Sequence, residues 1–417
     1  MSARISGVSG KVGFNDLKQL PGFWTRKLGK DLYEVFIGPQ HPGSGHMRII
    51  IRVDGDVIVE ADPDMGYVHR TMEKLGEGRE WIKGIPLYER MAIHDACNVT
   101  LPYVEAVEKL LGIEPPLRAK YLRVLLCEIN RIAAFLYGFG IFGVFVGHST
   151  MYMWPFGDRE VWVELADWLT GARLTHSYPI FGGVRRDAPE GFTDSLRKAI
   201  RYMRKRLEEY RKIYVDNPVI RARLEDVGVI PRNLAIELGI TGPNLRASGV
   251  EYDVRYNAPY EVYDELDFEI PVFQEGDSLA RVWQRVEEIK QSLHILEQVA
   301  DWLDKHKGEQ IMHDRFWKTA PPLYKKVFQE TGRVKLVPAF AILKVPKGKA
   351  YARAETARGE ISYYVESNGA NKPYRVRIVS ASARNAIVFK YILPGHRVMD
   401  LPTIYGSIDY FPPEGDR

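Results

Sequence analysis

The residues with the clearest chemical potential are histidines that lie beside a carboxylate or a glycine-rich turn. His94 directly precedes Asp95 at the predicted start of a helix, and His41 and His46 flank one Pro/Gly loop. Histidine titrates near neutrality, and a neighbouring carboxylate is expected to raise its pKa, so a histidine beside a carboxylate is suited to general acid–base catalysis. A neighbouring His-Asp pair is also common as a simple structural contact. The pair alone therefore leaves a catalytic and a structural interpretation open.

Motifs that identify common enzyme classes are absent, and the cysteine content is low. The chain has no glycine-rich phosphate loop, no GxSxG nucleophile elbow and no HExxH zinc site. Cys97 and Cys127 are too far apart to form a CxxC pair. An iron–sulfur cluster normally takes four thiolates, so this chain is not expected to bind one alone. Two separate cysteines also exclude a disulfide framework and indicate a reducing compartment.

Four segments combine charged residues with loop-forming glycines. They are GPQHPGSGH, GYVHRTMEK, TGPNLRASGVEYDVR and ETARGEISYY. Arginine in such a loop usually stabilises packed backbone, because one guanidinium can donate to several carbonyls or to one carboxylate. We therefore expect Arg70, Arg246, Arg255 and Arg358 to organise the structure. On composition alone, these segments predict an interaction scaffold.

The overall composition is that of a folded soluble protein. Of the 417 residues, 45% are hydrophobic and 27% are charged, which excludes disordered, collagen-like and coiled-coil chains. Lys and Arg number 58 against 54 Asp and Glu, a net charge of +4. That mild balance, without a dense basic run, does not predict a nucleic-acid partner. The N-terminal residues lack the apolar core of a secretory signal.

The hydrophobic pattern predicts an α+β protein in which a central helical bundle lies between β-rich terminal regions. Hairpins are expected across Asp54-Gly55 and Asn368-Gly369. No linker separates the regions, so we expect them to pack as one large domain. The predicted regions are 1–80 with strands, 81–310 with helical spacing and a loop-rich insertion at about 224–272, and 311–417 with strands again.

The stretch 132–157 contains no Asp, Glu, Lys or Arg and is long enough to cross a bilayer. It also contains Gly138, Gly140, Gly143 and Gly147. A buried helix that breaks at its glycines explains this composition at least as well as a membrane span. We therefore expect a buried core element here.

The charged glycine loops, in this order, resemble the large catalytic subunit (the 49 kDa or D type) that respiratory complex I shares with the membrane-bound [NiFe] hydrogenases. The similarity runs from about Glu34 to Arg417 and implies a fold like that of the [NiFe]-hydrogenase large subunit. The matching segments are GPQHP (38–42), GYxH (66–69), EKLLG (108–112), FGGVRRDAPEGF (181–192), LRASGVEYDVR (245–255), ETARGE (355–360), PYRVR (373–377) and the C-terminal Asp416 and Arg417.

The nickel ligands of the hydrogenases are missing. In those enzymes two CxxC pairs supply thiolates to the nickel–iron centre. The resemblance places the first pair on Ala92 and Asp95 and the second on Phe411 and Glu414. A soft thiolate site cannot be built from these side chains. The resemblance therefore implies an oxidoreductase subunit that is not a hydrogenase and binds no metal.

The quinone-binding tyrosine of complex I is missing too. In that family, a tyrosine at the start of the same helix and a histidine on the GPQHP loop hydrogen-bond the quinone head group. The tyrosine position falls on Ile93, which cannot donate a hydrogen bond. The first loop is one residue shorter than the family pattern, so His46 matches the loop histidine only approximately. Quinone reduction in the usual geometry is therefore not expected.

This double departure resembles the archaeal membrane-bound sulfane-sulfur reductase complexes. The resemblance implies a peripheral subunit on the cytoplasmic face of the cell membrane, in a complex that uses ferredoxin as electron donor, reduces polysulfide-type acceptors and pumps ions. The expected partners are a small [4Fe–4S] subunit, a ferredoxin-like cluster subunit and antiporter-like membrane subunits, while this chain binds no cofactor. Proton donors are expected among His94, Asp95, His46 and Glu414. The cavity loops are expected to contribute His41, His69, Arg70, Arg246, Arg255, Glu355 and Arg358.

Two other functions remain open at this point. A quinone- or phenazine-reducing NAD(P)H or ferredoxin dehydrogenase is possible because His94 could replace the neighbouring tyrosine. A non-catalytic scaffold of a hydrogenase-like complex is the third interpretation. In the structural alternative for the pair, Asp95 only caps the helix while His94 packs against a partner subunit.

Overall fold

The computed structural model describes residues 23–40, 45–319, 340 and 342–417. Its N-terminal strands form an antiparallel sheet in sequence order. The expected hairpin joins the last two strands across Gly55, whose φ of +60° favours glycine. Alternate residues of the third strand are buried, so one face of the sheet packs on a core. The strands are β1 (Phe23–Lys27), β2 (Leu32–Ile37), β3 (Arg48–Asp54) and β4 (Val57–Asp64).

Long helices form the centre of the molecule, as the apolar periodicity predicts. The longest helices are α3 (Ala96–Leu111), α4 (Leu117–Phe145), α5 (Ser149–Thr170), α6 (Phe192–Tyr210) and α11 (Ser278–Lys305). The other elements here are α1 (Met72–Glu77), α2 (Trp81–Tyr88), β5 (Pro179–Ile180), β6 (Gly183–Val184), α7 (Pro218–Leu224), α8 (Arg232–Glu237), α9 (Pro243–Arg246), α10 (Val254–Asn257) and α12 (Asp314–Thr319). The loop-rich insertion thus contains short helices.

The uncharged stretch forms the end of α4 and the start of α5. By length and composition α4 could cross a membrane, but 89% of its most apolar window is buried inside the protein. The chain turns at Gly147, whose φ is +74°. Glycine also permits the close approach of the two helices, because a Cβ on Gly143 would lie 2.6 Å from backbone atoms of α5. This part of the chain is therefore a helical hairpin in which most of α4 is buried, as expected. The helix continues through Gly138, Gly140 and Gly143 instead of breaking there, and Tyr152, Met153 and Trp154 at the start of α5 are exposed.

The C-terminal region contains the helix α12 and an antiparallel sheet in sequence order, made of β7 (Gly348–Thr356), β8 (Gly359–Ser367) and β9 (Arg375–Val379). The expected hairpin across Asn368-Gly369 joins β8 to β9. Beyond Val379 the chain is helical rather than extended. Ser380 caps the first of these helices by accepting the N–H of Ala383. The helices are α13 (Ala381–Asn385), α14 (Phe389–Ile392), α15 (Leu401–Ile408) and α16 (Pro412–Asp416).

Two apolar cores hold these elements together. The larger core joins the helical bundle to the sheet β7–β9. The smaller core joins the N-terminal sheet to the C-terminal helices, for example Ile49 and Ile51 to Phe389 and Ile404. The segment before β3, the start of α3, the end of α4 and the last helices meet in one place.

Candidate functional site

A cavity of about 490 Å³ lies at this meeting point. Its polar side chains include His46, His94 and Asp409. A concave, mainly apolar site with a few polar groups is typical of small-molecule binding. The apolar and aromatic wall includes Ile93, Tyr137, Ile141, Val144, Phe145, Tyr405 and Phe411.

His94 forms part of the cavity wall and lies among aromatic rings and arginines. Its imidazole is stacked on Tyr137, with ring centroids 3.7 Å apart, and meets the edge of Phe411 at 5.7 Å. Nη2 of Arg159 lies 3.3 Å from its Nδ1. Burial, followed by the charges of Arg358 and Arg159, lowers the pKa of His94 to about 3. The imidazole is therefore neutral at physiological pH.

Asp95 is completely buried and is directed away from His94. Its Oδ1 accepts a hydrogen bond from Nδ2 of Asn98 at 2.6 Å, and its Oδ2 accepts one from the N–H of Ala357 at 2.8 Å. Burial raises the pKa of Asp95, although both hydrogen bonds oppose the shift. The carboxylate makes no capping hydrogen bond to α3.

These contacts correct two expectations. A carboxylate was expected to raise the pKa of His94, but the charges that act on the imidazole are those of Arg159 and Arg358, which lower it. The alternative in which Asp95 caps the helix is also wrong, because its oxygens bind Asn98 and Ala357 instead. Adjacent residues in a tight helical turn project in different directions, so adjacency in sequence does not produce a hydrogen-bonded pair.

The other two expected proton donors occupy different positions. His46 contributes to the cavity wall and is exposed. Glu414 does not line the cavity and is completely buried. Its Oε1 accepts the N–H of Ser382 at 3.2 Å, and its Oε2 has no hydrogen-bond partner among the described residues. Burial raises the pKa of Glu414, and the nearby carboxylate of Asp95 adds to the shift.

Arg358 lies between the buried carboxylates and the cavity wall. Its Nε donates to the carbonyl of Asp409 at 3.0 Å, and its guanidinium is 4.7 Å from the ring centroid of Phe411. Burial opposes its charge, but Asp409, Glu414 and Asp95 together hold its pKa above the ordinary value. A permanent positive charge therefore lies behind the aromatic wall.

The remaining arginines and the acidic residue of the cavity loops lie in networks outside the wall. Arg246 donates to Glu288 at 2.8 Å and to Glu355 at 2.9 Å. Arg255 donates to Asp253 at 2.8 Å and to Glu128 at 3.1 Å. All six side chains are buried. These contacts link the loops to α4, α11 and β7.

The loop before α1 is attached to the C-terminus. Arg70 donates to the carbonyls of Arg90 and Pro413, at 2.8 and 2.9 Å. Nδ1 of His69 lies 2.6 Å from the carbonyl oxygen of Asp416. These bonds fix the last helix, and with it the cavity wall. His41 lies outside the described residues.

The sequence pattern singles out neither Tyr137 nor Arg159. Tyr137 stands among glycines in α4, and Arg159 follows the uncharged stretch in α5. Periodicity places a residue on a helix, but it does not show which helix faces meet residue 94 in the fold.

The residues at the hydrogenase ligand positions do not fit a nickel–iron centre. Ala92 and Phe411 have no donor atom, and both oxygens of Asp95 already accept hydrogen bonds. Among the described residues, no group of three or more His, Cys, Asp or Glu side chains is placed to hold a metal ion. A thiolate-ligated metal requires side chains that these positions lack.

Comparison with known proteins finds relatives over nearly the whole chain. Residues 146–417 match the family described as the 49 kDa subunit of respiratory-chain NADH dehydrogenase. The D subunit of the NADH-quinone oxidoreductase of Syntrophobacter fumaroxidans is 40% identical over 95% of this chain and 100% of its own length. The D subunit of the F420H2 dehydrogenase of Methanosarcina mazei is 36% identical over 92% of this chain and 97% of its own.

A solved structure shares the fold. It is a chain from the membrane-bound sulfane sulfur reductase, an archaeal respiratory membrane complex, with a TM-score of 0.83 and 38% identity over 94% of this chain and 100% of that one. The resemblance and the mixed helix-and-sheet fold are thereby confirmed. The chain belongs to the family of the 49 kDa subunit of respiratory-chain NADH dehydrogenase, a family of oxidoreductase subunits.

Proposed function

We propose that this chain is the acceptor-reducing subunit in the peripheral arm of a complex-I-like, ion-pumping oxidoreductase on the cytoplasmic face of the membrane. The acceptor in this proposal is sulfane sulfur, and the protein is not a hydrogenase. One observation carries it: the alkyl side chain of Ile93 lines the cavity, at the position on which the resemblance to complex I places the quinone-binding tyrosine. The similarity to a chain of the sulfane sulfur reductase complex supports the same acceptor.

The cavity suits an uncharged sulfur chain better than a polysulfide dianion. Its wall is mainly apolar, and the carboxylate of Asp409 contributes to it. Two electrons entering an S–S bond of an organic polysulfide break that bond and leave two sulfur anions, each of which takes one proton. A neutral His94 can donate a hydrogen bond to the developing anion, and the buried charge of Arg358 stabilises it electrostatically.

Protons must come from groups that hold them near neutrality. Burial raises the pKa of both Asp95 and Glu414, so both favour the protonated form more than an exposed carboxyl does. Neither lines the cavity, so their protons would pass through Asp409, His46 or solvent. The electrons come from ferredoxin through a [4Fe–4S] cluster in an adjacent small subunit, and this chain holds no cofactor of its own.

A second acceptor is favoured by a specific feature of the wall. Tyr137 lines the cavity and is stacked on His94, so a tyrosine hydroxyl is present although it comes from α4. A planar quinone or phenazine could use this hydroxyl in place of the missing one. The names of the similar quinone oxidoreductase subunits agree with that chemistry.

The test is an acceptor assay on the purified complex with reduced ferredoxin. We expect reduction of dimethyl trisulfide, with little reduction of a short-chain quinone and no hydrogen evolution. Preferential reduction of the quinone would replace the proposal with the second function. If neither acceptor is reduced, a non-catalytic scaffold would be favoured. Elemental analysis gives an independent check, because one nickel per chain would contradict the exclusion of hydrogenase activity.

A further inference from the structure

We propose that Arg159 is a positioning residue that fixes His94 as a neutral imidazole with its proton on Nε2, so that this N–H donates to the electron acceptor. The inference rests on the proposed function of the cavity and deepens it. It assigns His94 the role of a constant hydrogen-bond donor instead of a proton-releasing acid.

The tautomer follows from the contact between the two side chains. Nη2 of Arg159 lies 3.3 Å from Nδ1 of His94. A guanidinium carries only donors, so the imidazole nitrogen that faces it must present a lone pair. In a neutral imidazole the proton then lies on Nε2. Among the described residues nothing else hydrogen-bonds this ring, so Nε2–H remains available to a molecule in the cavity.

Aromatic packing fixes the orientation of the ring. Tyr137 covers one face, with an interplanar angle of 20°, and Phe411 meets the ring at 73°. Arg159 is itself well buried, and its Nη1 lies 3.9 Å from Glu160. A 180° flip of the imidazole would keep the stack but place the Cδ2–H group, which cannot accept a hydrogen bond, against Arg159, so the arginine selects the observed orientation.

The charges around His94 keep it neutral. Arg159 on α5 and Arg358 in the turn between β7 and β8 are both cationic, and Tyr137 on α4 is uncharged. On its own segment, Asp95 is directed to Asn98 and Ala357. Two carboxylates and a histidine complete the surroundings: Asp409 lies 3.4 Å from Arg358, Glu160 contacts Arg159, and His46 shares the cavity. The net environment opposes an imidazolium, in agreement with the lowered pKa of His94.

The decisive experiment is the pH dependence of turnover of the purified complex, with dimethyl trisulfide and with a short-chain quinone. Wild type should show no titration of His94 between about pH 5 and 8. Arg159→Met removes one of the two cations and frees Nδ1, so the pKa of His94 should rise, while burial and Arg358 still hold it below its ordinary value of about 6.5. We expect a new acid-side limb in kcat, with an inflection above the wild-type pKa of about 3 and below about 6.5, because protonation of Nδ1 changes the donor strength of Nε2–H. Arg159→Lys should keep the flat profile.

Controls separate this role from a structural one. Arg173→Met, which removes an exposed arginine that pairs with the same Glu160, should leave the profile flat. Adding His94→Gln to Arg159→Met should abolish the new limb. His94→Leu should lower kcat by about 10²-fold, the usual effect of losing one preorganised donor.

Three results would overturn the inference. The first is a flat pH profile of kcat for an Arg159→Met variant that turns over normally. The second, which applies if the Met variant does not assemble, is an acid limb in the profile of Arg159→Lys. The third is normal turnover of His94→Leu. If the complex reduces only the quinone, the proposed function fails. The effect of the Arg159 substitutions on the pH profile is then measured with the quinone as acceptor. Reduction of neither acceptor would overturn both proposals.

Discussion

The ring of Tyr137 lies nearly parallel to the imidazole of His94, with the centroids 3.7 Å apart and 20° between the planes. The phenol ring therefore fixes one face of the imidazole. Its hydroxyl makes no hydrogen bond to any described residue. The ring and the hydroxyl thus contribute separately, and they can be removed one at a time.

Tyr137→Phe tests which acceptor the cavity serves. Phenylalanine keeps the stack and removes only the hydroxyl, so reduction of sulfane sulfur should stay within about threefold of wild type. If the complex reduces quinone, the rate of that reaction should fall by about tenfold, because losing one hydrogen bond of about 1.4 kcal/mol corresponds to a factor of ten. Tyr137→Leu, which removes the stack as well, should impair both reactions. Loss of sulfur reduction in the Phe variant would contradict the proposed role of the cavity.

The cysteines are predicted to be an inert thiol pair. The Sγ atoms of Cys97 and Cys127 lie 3.2 Å apart, and both side chains are completely buried between α3 and α4. Burial raises the pKa of the Cys127 thiol, which suppresses the reactive thiolate. Alkylation of the native complex should therefore label neither residue.

Denaturation without reductant should expose both thiols, and mass spectrometry should find two alkyl groups on this pair in every chain. A mass two units below that of the dithiol, with no label after denaturation, would instead show a disulfide between α3 and α4. Such a bond would contradict the assignment of both residues as free cysteines.

Arg246 is predicted to be essential for assembly. Its guanidinium contacts Glu288 and Glu355 in the buried network. Lysine offers one compact ammonium in place of the fork, so it cannot contact both carboxylates at once. Removing one partner of a buried ion pair costs about 3–5 kcal/mol, and a lysine that keeps one contact should lose part of that free energy. We expect Arg246→Lys to reduce recovery of the complex in size-exclusion chromatography.

The matched control is Arg204→Lys on α6, an exposed arginine that pairs with Glu297. Exposed pairs contribute little, so this variant should assemble as wild type does. Normal assembly of Arg246→Lys together with loss of turnover would show that Arg246 has a chemical role instead.

The sequence predicts the elements of this fold better than the geometry of its cavity. Periodicity and turn residues suffice for α4 and for both hairpins, because those signals are local. They do not show which glycine ends α4, since the helix continues through Gly138, Gly140 and Gly143 and ends before Gly147. The position of the cavity depends on contacts between distant segments, such as residue 94 with residues 137 and 159. No local pattern encodes these contacts.

His94 and Asp95 illustrate the limit. The sequence correctly indicates a histidine at the cavity wall, through its place in a family pattern. It cannot show that two arginines surround the imidazole, so it predicts a pKa shift in the wrong direction. Asp95 is equally informative, because one partner, Asn98, is three residues away while the other, Ala357, belongs to the C-terminal sheet region.

Glu414 gives the last prediction, in which stability and turnover change independently. Its Oε1 accepts a backbone N–H while its Oε2 is buried without a described partner, and burial raises its pKa despite the attraction of Arg358. A carboxyl with a raised folded-state pKa contributes stability below its unfolded pKa of about 4.3. That contribution is lost as the pH rises through the folded-state pKa.

Glu414→Gln keeps the Oε1 acceptor and cannot ionise. The thermal stability of the variant relative to wild type should therefore improve as the pH rises from about 5 to 8, because only wild type has to bury a charge. Turnover should fall by about 10²-fold, because glutamine cannot supply a proton. Glu160→Gln, an exposed change on α5, should show no such pH trend. A pH-independent loss of stability would contradict the burial argument, and normal turnover would remove Glu414 from the proton path.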